Sequence, residues 1–247
     1  MHYIVFDLEF NQDVASLEET DDTKPKCPFE IIQIGAVKLD SKFQMVSSFH
    51  QFVKPSIYAN ISTFVTILTG ITTKQLQEEP SFPDVYKEFI KFIDDPESIF
   101  CIWGPSDIKE LYRNVNYYQL DKNPLPKLFI NIQPLTSLHL GISSKKLLRL
   151  QTAVEALNIP ITKDFHHAFN DAYYTVEIFK KVYTPAILPS VYNPNYVKST
   201  IRQPKKVIDF DALIQQFEKM YHRDMAKEEQ ELIKLAYKMG KTGQFIK

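Results

Sequence analysis

Glycine is scarce: 6 of the 247 residues. That nearly excludes a Gly-rich phosphate loop, and neither GxGxxG nor GxxxxGK followed by Ser or Thr occurs. Cysteine is scarcer still. Cys27 and Cys101 form no CxxC pair, which argues against a zinc-thiolate site and gives no disulfide framework. No apolar run approaches the roughly 18 residues of a membrane span, so no membrane is expected as a partner. Nothing after Met1 resembles a signal peptide, and the expected setting is a reducing cytoplasm. Charge of one sign does not dominate either, since 29 Lys/Arg stand against 30 Asp/Glu. The balance is uneven along the chain: from Thr184 onward 11 Lys/Arg face 7 Asp/Glu. A basic tail on an acidic body suits contact with a polyanion, and equally a pair of solvated surface helices.

What is present begins with "YIVFDLEF", residues 3 to 10. It reads as a buried strand, yet it carries Asp7 and Glu9. Residues two apart in a strand share a face, so the two acids project side by side and repel. Burying them is costly unless something positive lies between them. "FEIIQIGAVKL" (29–39) and "FQMVSSFHQFVKP" (43–55) are further strands, joined by a short polar "DSK" as a hairpin. "LTGITTKQLQ" (68–77) starts a helix in which Thr72 and Gln75 have capping-box spacing. "FPDVYKEFIKFI" puts Val85, Phe89, Phe92 and Ile93 on one helical face. A short strand at 98–103, a helix from Pro105 to Asp107 onward, a strand at 127–133 and helices at 147–159 and 171–183 follow. The order predicts an α/β fold, a mixed central sheet flanked by helices. Residues 184–208, rich in Pro, Asn, Tyr and Lys, read as a linker or an arm. Residues 210–221 and 227–240 read as two further helices, the second stopped by Gly240.

Later elements end in partners for the first two acids. Asp107 stands four residues past Trp103, where a buried strand gives way to a helix. "FHHAFNDAYY" (165–174) presents His166 and Asp171 where a loop enters a helix. Four carboxylates and one histidine therefore collect, and oxygen ligation suits Mg²⁺ or Mn²⁺ rather than zinc. Acids at helix starts are also favoured by the macrodipole, an ordinary reading open to Asp107 and Asp171. It does not serve Asp7 and Glu9, flanked by Phe6, Leu8 and Phe10. Trp103, after "SIFCI", reads as core. His2, His50, His139 and His222 read as ordinary polar positions. "EETDD" (18–22) reads as a solvated loop, and "RQPKK" (202–206) as a solvated basic loop able to touch phosphates.

"FDLEF", "WGPSD" and "HHAFND", in this order and with "FEIIQIGAVKLD" and "LTGIT" between the first two, resemble the DEDDh (DnaQ-like) 3′→5′ exonucleases. That family carries D-x-E in its first strand, an Asp in its second motif and H-x-A-x-x-D in its third. The likeness covers about residues 1–183, and within the family it is most like the exoribonuclease and KapD-type subgroup. The resemblance implies a ribonuclease H-like domain over 1–183; beyond it, composition and helical spacing read as the linker or arm at 184–208 and a C-terminal helical extension over 209–247. It implies two divalent ions held by Asp7, Glu9, Asp107 and Asp171, with His166 taking a proton from the attacking water. The H-x-A-x-x-D spacing fits His166, leaving His167 as a neighbour that packs or faces solvent. Family contacts to the terminal nucleotide lie near Leu8 and Phe10, where this chain has Phe10–Asn11 in place of the usual Thr.

The expected function is a metal-dependent 3′→5′ exonuclease that releases nucleoside monophosphates from single-stranded ends, with RNA favoured. Two alternatives stand beside it: a DNA 3′→5′ exonuclease, and a non-catalytic module that binds nucleic acid or docks a partner. The C-terminal extension is a candidate surface for a homodimer or a protein partner.

Overall fold

The computed structural model describes residues 2–12, 27–194 and 209–241, with side chains described as far as Tyr237. The chain divides into two compact units, Met1–Tyr196 and Val197–Lys247. The expected loop at 11–28 falls largely outside the described residues, as do "EETDD" and "RQPKK". Among the described residues no helix is long and apolar enough to cross a membrane.

The first unit is built on β1 (Tyr3–Asn11), β2 (Glu30–Leu39), β3 (Met45–Phe52), β4 (Ile99–Ile102), β5 (Leu128–Asn131) and β6 (Ser190–Val191). They form one mixed sheet in the order β3-β2-β1-β4-β5-β6. β1, β4 and β5 run parallel, and β2, β3 and β6 pair antiparallel to their neighbours. β1 lies in the middle, which explains its apolar run: both faces are covered. Ile4, Phe6 and Leu8 pack with α3 (Phe82–Ile93) and α4 (Ser106–Tyr117), through Phe89, Ile108 and Leu111 among others. Tyr3 and Val5 pack on the opposite face with α7 (Ala168–Val182), through Val176, Ile178 and Phe179. Asp7 and Glu9 continue that second face at the carboxyl end of the strand.

The remaining helices refine the expected pattern. α1 (Thr63–Thr69) begins earlier than "LTGIT" suggests, because the Ser62 hydroxyl accepts from the Val65 amide and caps it. α2 (Thr73–Leu76) is capped by the Thr72 hydroxyl, which accepts from Gln75 N–H. The strand expected over 127–133 ends at Asn131, whose side chain accepts from Gln133 N–H and starts α5 (Ile132–His139). An N-cap amide inside an apolar run is the local signal for the helix there. α6 spans Leu150–Ala156. Residues expected to open the linker or arm instead return to the sheet as β6, paired with Leu128 and Phe129. Trp103 is partly buried against the α7-side core. Cys27 and Cys101 are both free and buried. In the second unit, α8 (Phe210–Tyr221) and α9 (Lys227–Lys241) form a helical pair, and α9 runs through Gly240 rather than stopping there.

Candidate active site

Parallel pairing of β1 and β4 puts their carboxyl ends at one edge of the sheet, the edge where α/β folds gather ligands. Asp7 and Glu9 lie at that end of β1, and the β1–β2 register shifts between Glu9 and Phe10. β4 ends in the same region, and the chain turns through Trp103–Gly104 into α4, whose second residue is Asp107. Gly104 takes a left-handed φ of 92°, and its N–H donates to Asn131 Oδ1 at 3.1 Å. One asparagine therefore fixes both the α5 start and the turn that presents Asp107.

Asp171 comes from the first turn of α7, and this helix approaches the sheet at Gly35, which pairs with Asp7. A Cβ on Gly35 would stand 2.1 Å from Phe169 N and 2.2 Å from the Ala168 carbonyl carbon. Only a glycine lets the start of α7 come this close. Two residues earlier on β2, fully buried Gln33 pairs with Glu9 and clamps the same helix end. Its Oε1 accepts from Ala168 N–H at 3.0 Å, which fixes the amide orientation. Its Nε2 then reaches His50 Nε2 at 2.8 Å and His167 Nε2 at 3.1 Å. Donating to both requires neutral rings, and burial lowers both imidazole pKa values, with the neighbouring His167 adding to the effect on His50. His50 is thus part of the support of the site rather than an ordinary polar position. His167 is held in this network, while His166 is exposed.

Glu9, His166 and Asp171 each offer a ligand atom within 4.8 Å of the other two. Asp7 and Asp107 complete the group electrostatically. Burial raises the Asp7 carboxyl well above its ordinary value, and the charges of Asp107, Glu9 and Asp171 add to it. Burial likewise pushes Glu9 up to about 8, Asp107 to about 8 and Asp171 to about 7, with neighbouring acids contributing for Glu9 and Asp107. Among the described residues no lysine or arginine pairs with any of the four. Asp171 Oδ2 accepts His166 N–H at 3.1 Å, while its Oδ1 is buried without a partner. Unpaired buried carboxylate oxygen, a set of four acids and no internal cation fit a divalent metal bound through oxygen. Leu8, by contrast, is 4% exposed and packed in the core, and Phe10 is partly buried against Phe29.

The RNase_T exonuclease family matches residues 4–179. The chain belongs to that family. It is 29% identical over 186 residues to a DNA polymerase III PolC-type of Caldanaerobacter subterraneus subsp. tengcongensis, covering 73% of this chain and 11% of that protein. It is 28% identical over 137 residues to ERI1 exoribonuclease 3 of Mus musculus, covering 52% of this chain and 41% of that protein. The chain therefore spans less than half the length of these relatives. Its fold matches a crystal structure of the nuclease domain of 3′hExo, a DEDDh family member, bound to rAMP. The TM-score is 0.61 at 23% identity, over 73% of this chain and 90% of that one.

The raised carboxyl values give this exonuclease-family chain a distinctive pH response. Between the ordinary carboxylate range and pH 8, the metal-free folded chain keeps protons that the unfolded chain has released. Stability from these groups is therefore present below about pH 4 and lost as pH rises through 7 to 8. Thermal melts in EDTA should show Tm falling between pH 5 and 8, and added Mg²⁺ or Mn²⁺ at pH 8 should restore it. A Tm that is flat with pH and indifferent to metal would contradict the clustering.

Proposed function

We propose that this chain is a metal-dependent 3′→5′ exonuclease that releases nucleoside monophosphates from single-stranded ends, with RNA favoured over DNA. The observation that carries the reading is the convergence of four carboxylates with no Lys or Arg among the described residues paired to them. Asp7, Glu9, Asp107 and Asp171 would hold two divalent ions, Mg²⁺ or Mn²⁺. When bound, such ions neutralise the scissile phosphate and acidify an attacking water. His166, exposed beside Glu9 and Asp171, would accept a proton from the attacking water at a ring nitrogen. Gln33 and Gly35 keep the α7 end against β2, beside β1, so that Asp171 and His166 come near Glu9.

Single-stranded ends suit a site that gathers its acids at one sheet edge and must admit one terminal nucleotide. Asn11, just past Glu9, accepts from Ser62 N–H and donates to Asn60 O, which ties the α1 start to this end of β1. Phe64 and Ile67 on α1 are 56% and 80% exposed and offer apolar surface for unstacked bases. RNA preference draws on the exoribonuclease resemblance, and the PolC-type relative makes DNA the second reading. Matched 5′-labelled RNA and DNA strands, with a DNA strand ending in one ribonucleotide, separate the two. Faster trimming of RNA, with a faster first step on the chimera, supports RNA; equal or faster DNA trimming reverses the preference.

The two histidines should behave differently. His166→Asn is expected to lower kcat by about 10²- to 10⁴-fold with little change in Tm, as for an exposed general base. His167→Asn is expected to lower Tm first, because His167 is held by Gln33. Steady-state kinetics with melts on both variants test this, and the opposite assignment would show as the reverse pattern.

A further inference from the structure

The His166 ring has no hydrogen-bonding partner among the described residues, so its place is set by its backbone. That backbone is unusual: His166 sits at φ 62°, a left-handed conformation that non-glycine residues rarely adopt. Something must hold the segment leading into it. Three side chains of α7 do so. Asp171 Oδ2 accepts His166 N–H at 3.1 Å, and Asn170 Nδ2 donates to Asp164 O at 2.9 Å. The third is Tyr174, one turn further along the helix and 0% exposed.

The Tyr174 hydroxyl uses all of its capacity on this segment. It accepts from Thr162 N–H at 3.0 Å and from Lys163 N–H at 2.8 Å, and donates to Lys163 O at 2.8 Å. A phenol oxygen has two acceptor sites and one proton, so nothing is left for another role. Its ring also stacks on Phe165, with centroids 4.8 Å apart and planes at 26°. The residue just before His166 and the backbone three and four residues before it are thus fixed to one side chain. That side chain is on the helix that also carries Asp171.

We propose that Tyr174 is a positioning residue for His166: its hydroxyl anchors residues 162–163 so that the imidazole faces the reacting centre. This rests on the reading of His166 as the general base. Removing the hydroxyl leaves the core ring in place but frees three backbone groups to bond water, and the segment relaxes from its left-handed corner.

The test is a double-mutant cycle of Tyr174→Phe and His166→Ala in the full chain, read by steady-state kinetics on single-stranded RNA with Mg²⁺. Tyr174→Phe should lower kcat about 10- to 100-fold, the scale of a misplaced reacting group, with KM changed less than about twofold. In the His166→Ala background it should lower kcat no further, because the group it positions is gone. An equal loss in both backgrounds, or no loss in either, would overturn the proposal. Amide hydrogen exchange across residues 162–166 gives a readout independent of activity. Exchange at Thr162 and Lys163 should speed up in Tyr174→Phe, and unchanged exchange would also overturn it. Should His166→Ala keep the parent kcat, the general-base reading fails, and with it the catalytic consequence assigned to Tyr174.

Discussion

Asp7→Asn is expected to remove turnover, by about 10³-fold or more, while making the metal-free protein more stable at pH 8. The two effects have one cause. Burial opposes the ionisation of Asp7, and three neighbouring acids add to it. A neutral amide of nearly the same shape removes that repulsion, so the folded state no longer loses stability as pH rises through this group. The same change removes one of the carboxylates that would hold the divalent ions, and with it the charge stabilisation those ions would give the phosphoryl oxygens. Single-stranded RNA should still bind, since the exposed apolar face of α1 is untouched. A higher Tm in EDTA, a smaller Tm gain on adding Mn²⁺ and absent turnover form the expected set. A non-catalytic binding module would have no turnover to lose, and Asp7→Asn would leave binding unchanged or tighter. Parent-level turnover in the variant would remove Asp7 from the chemistry.

Gly35→Ala should damage stability and turnover together. The added Cβ overlaps backbone atoms of Phe169 and Ala168, and backbone cannot rotate aside as a side chain can. Either β2 or the start of α7 must move. Overfilling a packed contact costs about 1–3 kcal/mol, and overlap this deep with main chain puts the loss at about 3 kcal/mol or more. Either movement displaces the α7 start, with Asp171 and the adjacent His166, relative to the sheet, and a shift near 1 Å between reacting groups costs about 10²-fold in rate. Urea unfolding alongside kcat separates this variant from Asp7→Asn, which loses rate without losing stability. A Gly35→Ala protein with parent midpoint and parent kcat would mean that the close approach of α7 to β2 does not set the site.

Much of this arrangement was legible in the residues. The acids of "FDLEF" stood out because a two-sided buried strand has no ordinary use for them. Asp107 and Asp171 were found at helix starts after a strand and a loop, and the fold brings their elements to the same sheet edge. Motif spacing separates His166 from His167; in the structure His166 lies near Glu9 and Asp171, and His167 is held by Gln33. The support of the site was harder to read, because it depends on pairing across the sheet. Gln33 is a polar residue in an otherwise apolar stretch, and a buried amide needs partners. Its partners, Ala168, His50 and His167, lie up to 135 positions away. Gly35 is unremarkable until α7 is seen against it. Tyr174 reads as one more core aromatic on an amphipathic helix, and its hydroxyl gains meaning only from the backbone of 162–163. α5 is not legible in the apolar run for a local reason: Asn131 ends a strand and caps a helix in the same residue.

The most direct measurement is product analysis of a 5′-labelled single-stranded RNA incubated with the chain in Mg²⁺, in EDTA, and with Asp7→Asn in Mg²⁺. A ladder shortening from the 3′ end, with nucleoside 5′-monophosphates released only by the parent chain with metal, is the predicted result. An intact strand under every condition, or cleavage that persists in EDTA or in Asp7→Asn, would contradict catalysis by metal held on these four carboxylates.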